Sequence, residues 1–110
     1  MEITWDDFQK VDLRVGTIVD VQEFPEAQKP AFKLKIDLGP LGVKRSSAQV
    51  TTLYHMDDLL NRQVLCVCNF SPKQIGPYVS EVLVTGFVLA NQSVVLVSPD
   101  QPIPNGSRLG

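Results

Sequence analysis

Histidine occurs once in these 110 residues, as His55, and cysteine twice, as Cys66 and Cys68. A hydrolase triad needs a histidine beside a nucleophile, and Tyr54-His55-Met56-Asp57 offers none on a recognisable elbow. A zinc site draws on about four thiolate or imidazole ligands, more than two cysteines on one strand and a single histidine supply. No glycine-rich phosphate loop is present, since Gly39-Pro40-Leu41-Gly42 lacks both a following Lys-Ser/Thr pair and a helix to donate amides. Apolar runs reach only about five residues, against the ~20 that cross a bilayer. Glu2, Asp6 and Asp7 stand where a signal peptide needs a basic start and an apolar core. A net charge of −2 argues against nucleic-acid binding by bulk electrostatics. These absences lead to the expectation of a cytoplasmic protein that is not an enzyme, uses no metal or cofactor, and does not insert into membranes. Asp57-Asp58 is a paired carboxylate, but the first turn of a helix explains it equally well.

What is present describes one domain over residues 1–110, with an ordinary 44% hydrophobic and 20% charged composition. Thr4 followed by Asp7 predicts a capped helix start, with Ile3 and Phe8 at the staple positions. That helix is short, because Val11-Asp12-Leu13 changes to a period of two. Trp5 and Phe8 share a face three residues apart, which predicts docking onto something apolar, either within the monomer or at an interface. From Leu13 to Val21 the pattern is that of a strand, with Leu13, Val15, Thr17, Val19 and Val21 on one side and Gly16 as the expected bend or bulge. Pro25 and Pro30 bound a loop. Phe32, Leu34, Ile36 and Leu38 then alternate with Lys33, Lys35 and Asp37, the cleanest half-buried strand. Gly39-Pro40-Leu41-Gly42 turns into a third strand from Val43 to about Ser47. Thr51 to Asn61 suits a short helix. Strands are expected over Gln63 to Phe70, Ser80 to Phe87 and Val94 to Val97, before a proline-rich tail from Pro99. Cys66 and Cys68 share one strand face, about 6.5 Å apart along the chain, and read as core packing.

Short strands, a glycine kink in the first and a helix between the third and fourth predict an all-β fold, the five-stranded Greek-key OB barrel. An SH3-like barrel is the alternative. In an OB barrel, ligands lie over strands two and three, under the loops that join strands one to two and four to five. Those loops hold Lys29 and Lys73, which would face one groove. Lys33, Lys35, Lys44 and Arg45 would line it, with Phe70 and Tyr78 as stacking or apolar contacts. Between positions 28 and 45 five cations meet the single acid Asp37, a local net of +4. Cations interleaved with aromatics suit single-stranded RNA or extended polypeptide equally. Duller readings stand beside these. Glu81 would pair with Lys73 on the surface, Ser46 and Ser47 would satisfy a strand-end turn, and Phe70 would be core.

Phe8-Gln9-Lys10-Val11-Asp12-Leu13-Arg14-Val15-Gly16 resembles the opening of the tRNA-binding domain attached to some methionyl-tRNA synthetases and phenylalanyl-tRNA synthetase β subunits. Glu23-Phe24-Pro25-Glu26-Ala27, Ser46-Ser47-Ala48-Gln49-Val50-Thr51, Asn69-Phe70-Ser71-Pro72-Lys73, Ser80-Glu81-Val82-Leu83-Val84 and Pro99-Asp100-Gln101-Pro102-Ile103-Pro104-Asn105-Gly106 together resemble its CsaA branch. That branch comprises small chaperones associated with protein export. The resemblance implies a homodimer that holds unfolded or precursor polypeptides, with the export machinery as a further partner and tRNA binding as an inherited capacity. It carries recognition roles to Asn69, Phe70, Lys73, Ser80 and Glu81, with Ser46, Ser47 and Gln49 nearby. The alternative is a stand-alone tRNA-binding protein that recognises tRNA structure rather than sequence. Two departures weaken that alternative: Lys73 is followed by Gln74 rather than a second cation, and Ser47-Ala48-Gln49-Val50 replaces a Ser-Gly-Ile-Ala segment.

Overall fold

A computed structural model describes residues 1–110. Helix α1, Trp5–Gln9, starts with the predicted capping box: Thr4 Oγ1 accepts from the Asp7 amide and Asp7 Oδ2 from the Thr4 amide, both at 3.1 Å. Ile3, at the outer staple position, stays exposed.

Five strands form the barrel: β1 (Leu13–Glu23), β2 (Phe32–Asp37), β3 (Val43–Ala48), β4 (Gln63–Val67) and, later in the chain, β7 (Leu83–Val84). Their order is β3-β2-β1-β4-β7, antiparallel throughout. The two edges approach each other, with the amides of Glu81 and Val82 donating to the Arg45 carbonyl at 2.8 and 3.3 Å. Inside the closure, Ser46 Oγ donates to the Val82 carbonyl at 2.8 Å. This is the OB-type barrel that the strand pattern predicts. Leu34 and Ile36 point inward with Ile18, Leu38, Val64 and Cys66, while helix α2 (Met56–Leu59) contributes fully buried Leu59. Full burial of such aliphatic side chains stabilises by about 1.5–3 kcal/mol each before conformational entropy opposes it.

Three departures have local causes. The bulge lies at Val19, not Gly16: Ile18 faces Ile36 and Asp20 faces Lys35, so Val19 has no partner on β2 and is exposed. The inward phase thus passes from Gly16 and Ile18 to Val21, and the expected single odd-numbered face is split. Gly16 answers a different need, since a methyl there would lie 2.5 Å from Ile36 Cγ2 and 2.9 Å from the Asp37 carbonyl oxygen. Second, the expected strand from Gln63 to Phe70 ends at Val67, and the segment thought to be a loop contains a hairpin. Its strands are β5 (Lys73–Ile75) and β6 (Tyr78–Ser80), joined at Gly76-Pro77 with Gly76 at φ +54°. Third, the strand expected over Ser80 to Phe87 breaks twice. Glu81 and Val82 turn their amides to Arg45, and Thr85 bridges Leu65 and Val97 before β8 (Gly86–Val88) pairs with β9 (Val94–Leu96).

The tail is extended and paired. Gly106 and Leu109 amides donate to Val15 and Leu13 at 2.7 and 2.9 Å, and the Val15 amide donates to Ser107 at 3.0 Å. These bonds cover the part of β1 that β2 does not reach. Cys66 is buried, and burial pushes its thiol up to about 12, as befits a packing residue.

Candidate functional site

Alternation along β2 and β3 builds the outer face over which an OB barrel takes its ligands. On β2, Lys33 and Lys35 face outward between inward Leu34 and Ile36. On β3, Arg45 and Ser47 face outward between Lys44, Ser46 and Ala48. The register sets Lys35 directly opposite Arg45 and Lys33 opposite Ser47, while Asp20 and Gln22 of β1 continue the two rows. Lys44 is out of phase: it faces Ile36, half-buried, and does not join Lys33 and Arg45.

The two loops expected to overhang this face meet there. Phe24, buried in the loop after β1, packs edge-on against Tyr78 of the hairpin at 5.6 Å between centroids. The hairpin tip at Gly76 lies beside the Glu26 carbonyl. Lys33 Nζ sits 5.6 Å from the Phe24 ring centroid and 5.8 Å from that of Tyr78, and the Arg45 guanidinium lies 5.9 Å from Tyr78. The Tyr78 hydroxyl donates to the Leu34 carbonyl at 2.9 Å. With its ring in contact with Phe24, Lys33 and Arg45 and its hydroxyl bonded to the sheet, Tyr78 ties the loops to β2 and β3.

Glu81 pairs with Arg45 rather than Lys73. Its Oε1 accepts from the Arg45 amide at 3.0 Å and from Nε at 3.2 Å. The Arg45 amide, then its guanidinium, hold the Glu81 carboxyl below the usual range against the opposing effect of burial. Ser80 Oγ accepts from the Ser47 amide at 3.4 Å, which links hairpin to sheet. Ser46 is buried in the closure and does not reach the outer face. Lys29, Gln49 and Lys73 are exposed, and Lys73 stands opposite Ser80.

Asn69 is used internally. Its Nδ2 donates to the Lys10 carbonyl at 2.6 Å and its Oδ1 accepts from the Asp12 amide at 3.0 Å, fastening the end of β4 to the turn after α1. Phe70, the next residue, is 59% exposed and is not core. Trp5 is 61% exposed and stacks obliquely on half-buried Phe8 at 5.5 Å. A second apolar surface, Phe87 and Val88 at 63% and 67% exposure on β8, was not singled out from the sequence. Its signal was there: Gly86-Phe87-Val88-Leu89-Ala90 is a continuous apolar run in a short outlying ribbon, too small to bury both faces.

Cavities lie elsewhere. One of about 160 Å³ is bounded by Phe8, Val11 and Leu109; another of about 460 Å³ includes Arg62, Gln63 and Asp100 together with Pro99 and Pro102. On the outer face of β2 and β3, Lys35 and Arg45 are exposed and neither lines these two cavities. His55 caps α2 through its backbone, its amide donating to Asp58 Oδ2 at 2.9 Å. No helix is long and apolar enough to cross a membrane.

Comparison with known proteins agrees with this geometry. The crystal structure of the chaperone CsaA from Bacillus anthracis superposes with a TM-score of 0.94 at 44% identity, covering 100% of both chains. That of CsaA from Picrophilus torridus gives 0.91 at 46% identity, covering 99% of this chain and 100% of that one. A methionine–tRNA ligase from Thermococcus onnurineus is 39% identical over 110 residues, 97% of this chain but only 14% of the ligase. What is shared with the ligases is therefore a small part of each, a tRNA-binding domain and not a catalytic one. The pattern of the tRNA binding domain family matches residues 13–108, from the first residue of β1 to the paired tail, and the chain belongs to that family.

Proposed function

We propose that the chain is a homodimeric, CsaA-like holding chaperone of the cytoplasm that binds unfolded or precursor polypeptides destined for export. The observation that carries this reading is the end-to-end likeness to two CsaA chaperones, covering 99–100% of this chain and all of theirs. Exposed apolar groups in separate elements support it. Trp5, with Phe8 beside it, would meet a second copy, and Phe70 would contact the client. The track for an extended segment would be Lys33, Arg45, Ser47 and Ser80, flanked by Lys29, Gln49 and Lys73. Tyr78, Asn69, Glu81 and Ser46 would shape it from behind, and Lys44 would act from the barrel end. Suppression of aggregation of a chemically denatured client at stoichiometric ratio tests the reading, with sedimentation equilibrium for the dimer. No suppression at large excess would remove it.

A second reading, tRNA binding, draws support from the family and from the outward cations Lys33, Lys35 and Arg45. It requires a tRNA mobility shift that weakens with salt at a slope set by the phosphates contacted. Lys33→Glu with Arg45→Glu should abolish that shift. An unchanged shift would locate any tRNA site elsewhere.

A further inference from the structure

Lys35 and Arg45 are like charges at directly opposed positions of neighbouring antiparallel strands, both exposed. Cα atoms in such pairs stand about 4.5–5.5 Å apart, and facing like charges weaken a sheet. Only the Arg45 end of this pair is neutralised by an ion pair, with Glu81. Lys35 has no hydrogen-bond or ion-pair partner, and Asp20, its neighbour on β1, accepts from Gln22 instead. Arg45 is held from one side only. Glu81 engages its amide and Nε, and Tyr78 lies against the guanidinium, while no partner takes the terminal Nη groups. Across the sheet the charges read Asp20, Lys35, Arg45, Glu81: negative, positive, positive, negative, with a gap in the middle that an anion would fill.

We propose that Lys35 and Arg45 form a carboxylate receptor for an acidic side chain of an extended polypeptide, and that Glu81 is a positioning residue that aims the Arg45 guanidinium. The proposal rests on the polypeptide-holding reading and names what that track selects. Two observations favour a discrete carboxylate over an RNA backbone. In this row an acid flanks the two cations on each side, Asp20 and Glu81, which suits a single carboxylate between them better than a continuous run of phosphates. Tyr78, which lies against Arg45, is already engaged by Phe24, by Lys33 and by its hydroxyl bond to Leu34. A planar, fixed guanidinium beside an ammonium matches the two oxygens of a carboxylate.

The test uses the whole chain and two short fluorescein-labelled peptides that differ only in a central Glu or Gln flanked by Leu and Phe. Anisotropy should show the Glu peptide binding about fivefold or more tightly, and Lys35→Gln should erase that difference between the two peptides. Glu81→Gln should reduce the preference for the Glu peptide by loosening Arg45. Equal binding of both peptides, or a preference that survives in Lys35→Gln, overturns the receptor while leaving polypeptide holding intact. Failure of both peptides to bind, with tRNA bound and weakened in Lys35→Gln, overturns both.

Discussion

Tyr78 holds the two loops over the outer face, and the size of its contribution follows from its contacts. Its hydroxyl bond to the Leu34 carbonyl contributes about 1 kcal/mol net. The edge-on contact with Phe24 adds about 0.5–1.5 kcal/mol, and each cation over the ring, Lys33 and Arg45, adds about 0.5–1 kcal/mol at a part-exposed site. These contributions share one ring and do not sum, so Tyr78→Ala should cost about 2–4 kcal/mol and Tyr78→Phe about 1 kcal/mol. Urea unfolding followed by far-ultraviolet circular dichroism reads both values, with the slope against denaturant checked for constancy. Lys33→Ala in the Tyr78→Ala background should cost less than in the parent, by the part of the Lys33 contribution that the ring carries. The reasoning fails if Tyr78→Phe destabilises as much as Tyr78→Ala, because the ring contacts would then contribute nothing. It also fails if Tyr78→Ala costs less than about 0.5 kcal/mol, the scale of an ordinary surface change.

Gly16→Ala should lower stability by about 1–3 kcal/mol, since the new methyl meets two fully buried side chains and the Asp37 carbonyl; an unchanged urea midpoint would refute the close approach. Glu81 has its folded-state pKa depressed below the ordinary carboxylate value, so its stabilisation is complete above that value and is lost as pH falls through the lower folded one. Glu81→Gln should therefore be less stable than the parent at neutral pH, with the gap closing in acid, measured as melting temperature against pH. Burial raises both thiols, Cys66 to about 12, so a thiol reagent at mildly alkaline pH should leave Cys66 unmodified in the native protein and label both in urea. Rapid native labelling of Cys66 would contradict its place in the core.

Local patterns carried much of this fold into the sequence. The Thr4–Asp7 reciprocity, the alternation of Leu34 and Ile36 with Lys33 and Lys35, and the short helix around Leu59 each depend on neighbours a few residues away, and each was readable. What was not readable depends on partners far along the chain. The Val19 bulge exists only in the register of β1 against β2, and without it the odd-numbered residues of β1 look like one face. Glu81 found Arg45, 36 positions away, rather than Lys73, because the barrel closes at that point. Lys44 belongs to the basic stretch by composition and leaves the outer face by phase, a distinction that appears once the strand's first inward residue is fixed. Asn69 carried a recognisable motif, but its two hydrogen bonds to the turn after α1 follow from tertiary packing and had no local signature.

The unpaired residue at position 19 has a lasting consequence for how this barrel tolerates change. Its side chain points to solvent, so nearly any residue, polar ones included, should be accepted there. Removing the residue is tolerated on the same ground: one position fewer joins the Ile18–Ile36 pair to the Asp20–Lys35 pair in an unbroken ladder, Val21 stays inward opposite Leu34, and only the local kink is lost. A deep mutational scan that includes deletions should find this site permissive to replacement and to excision alike.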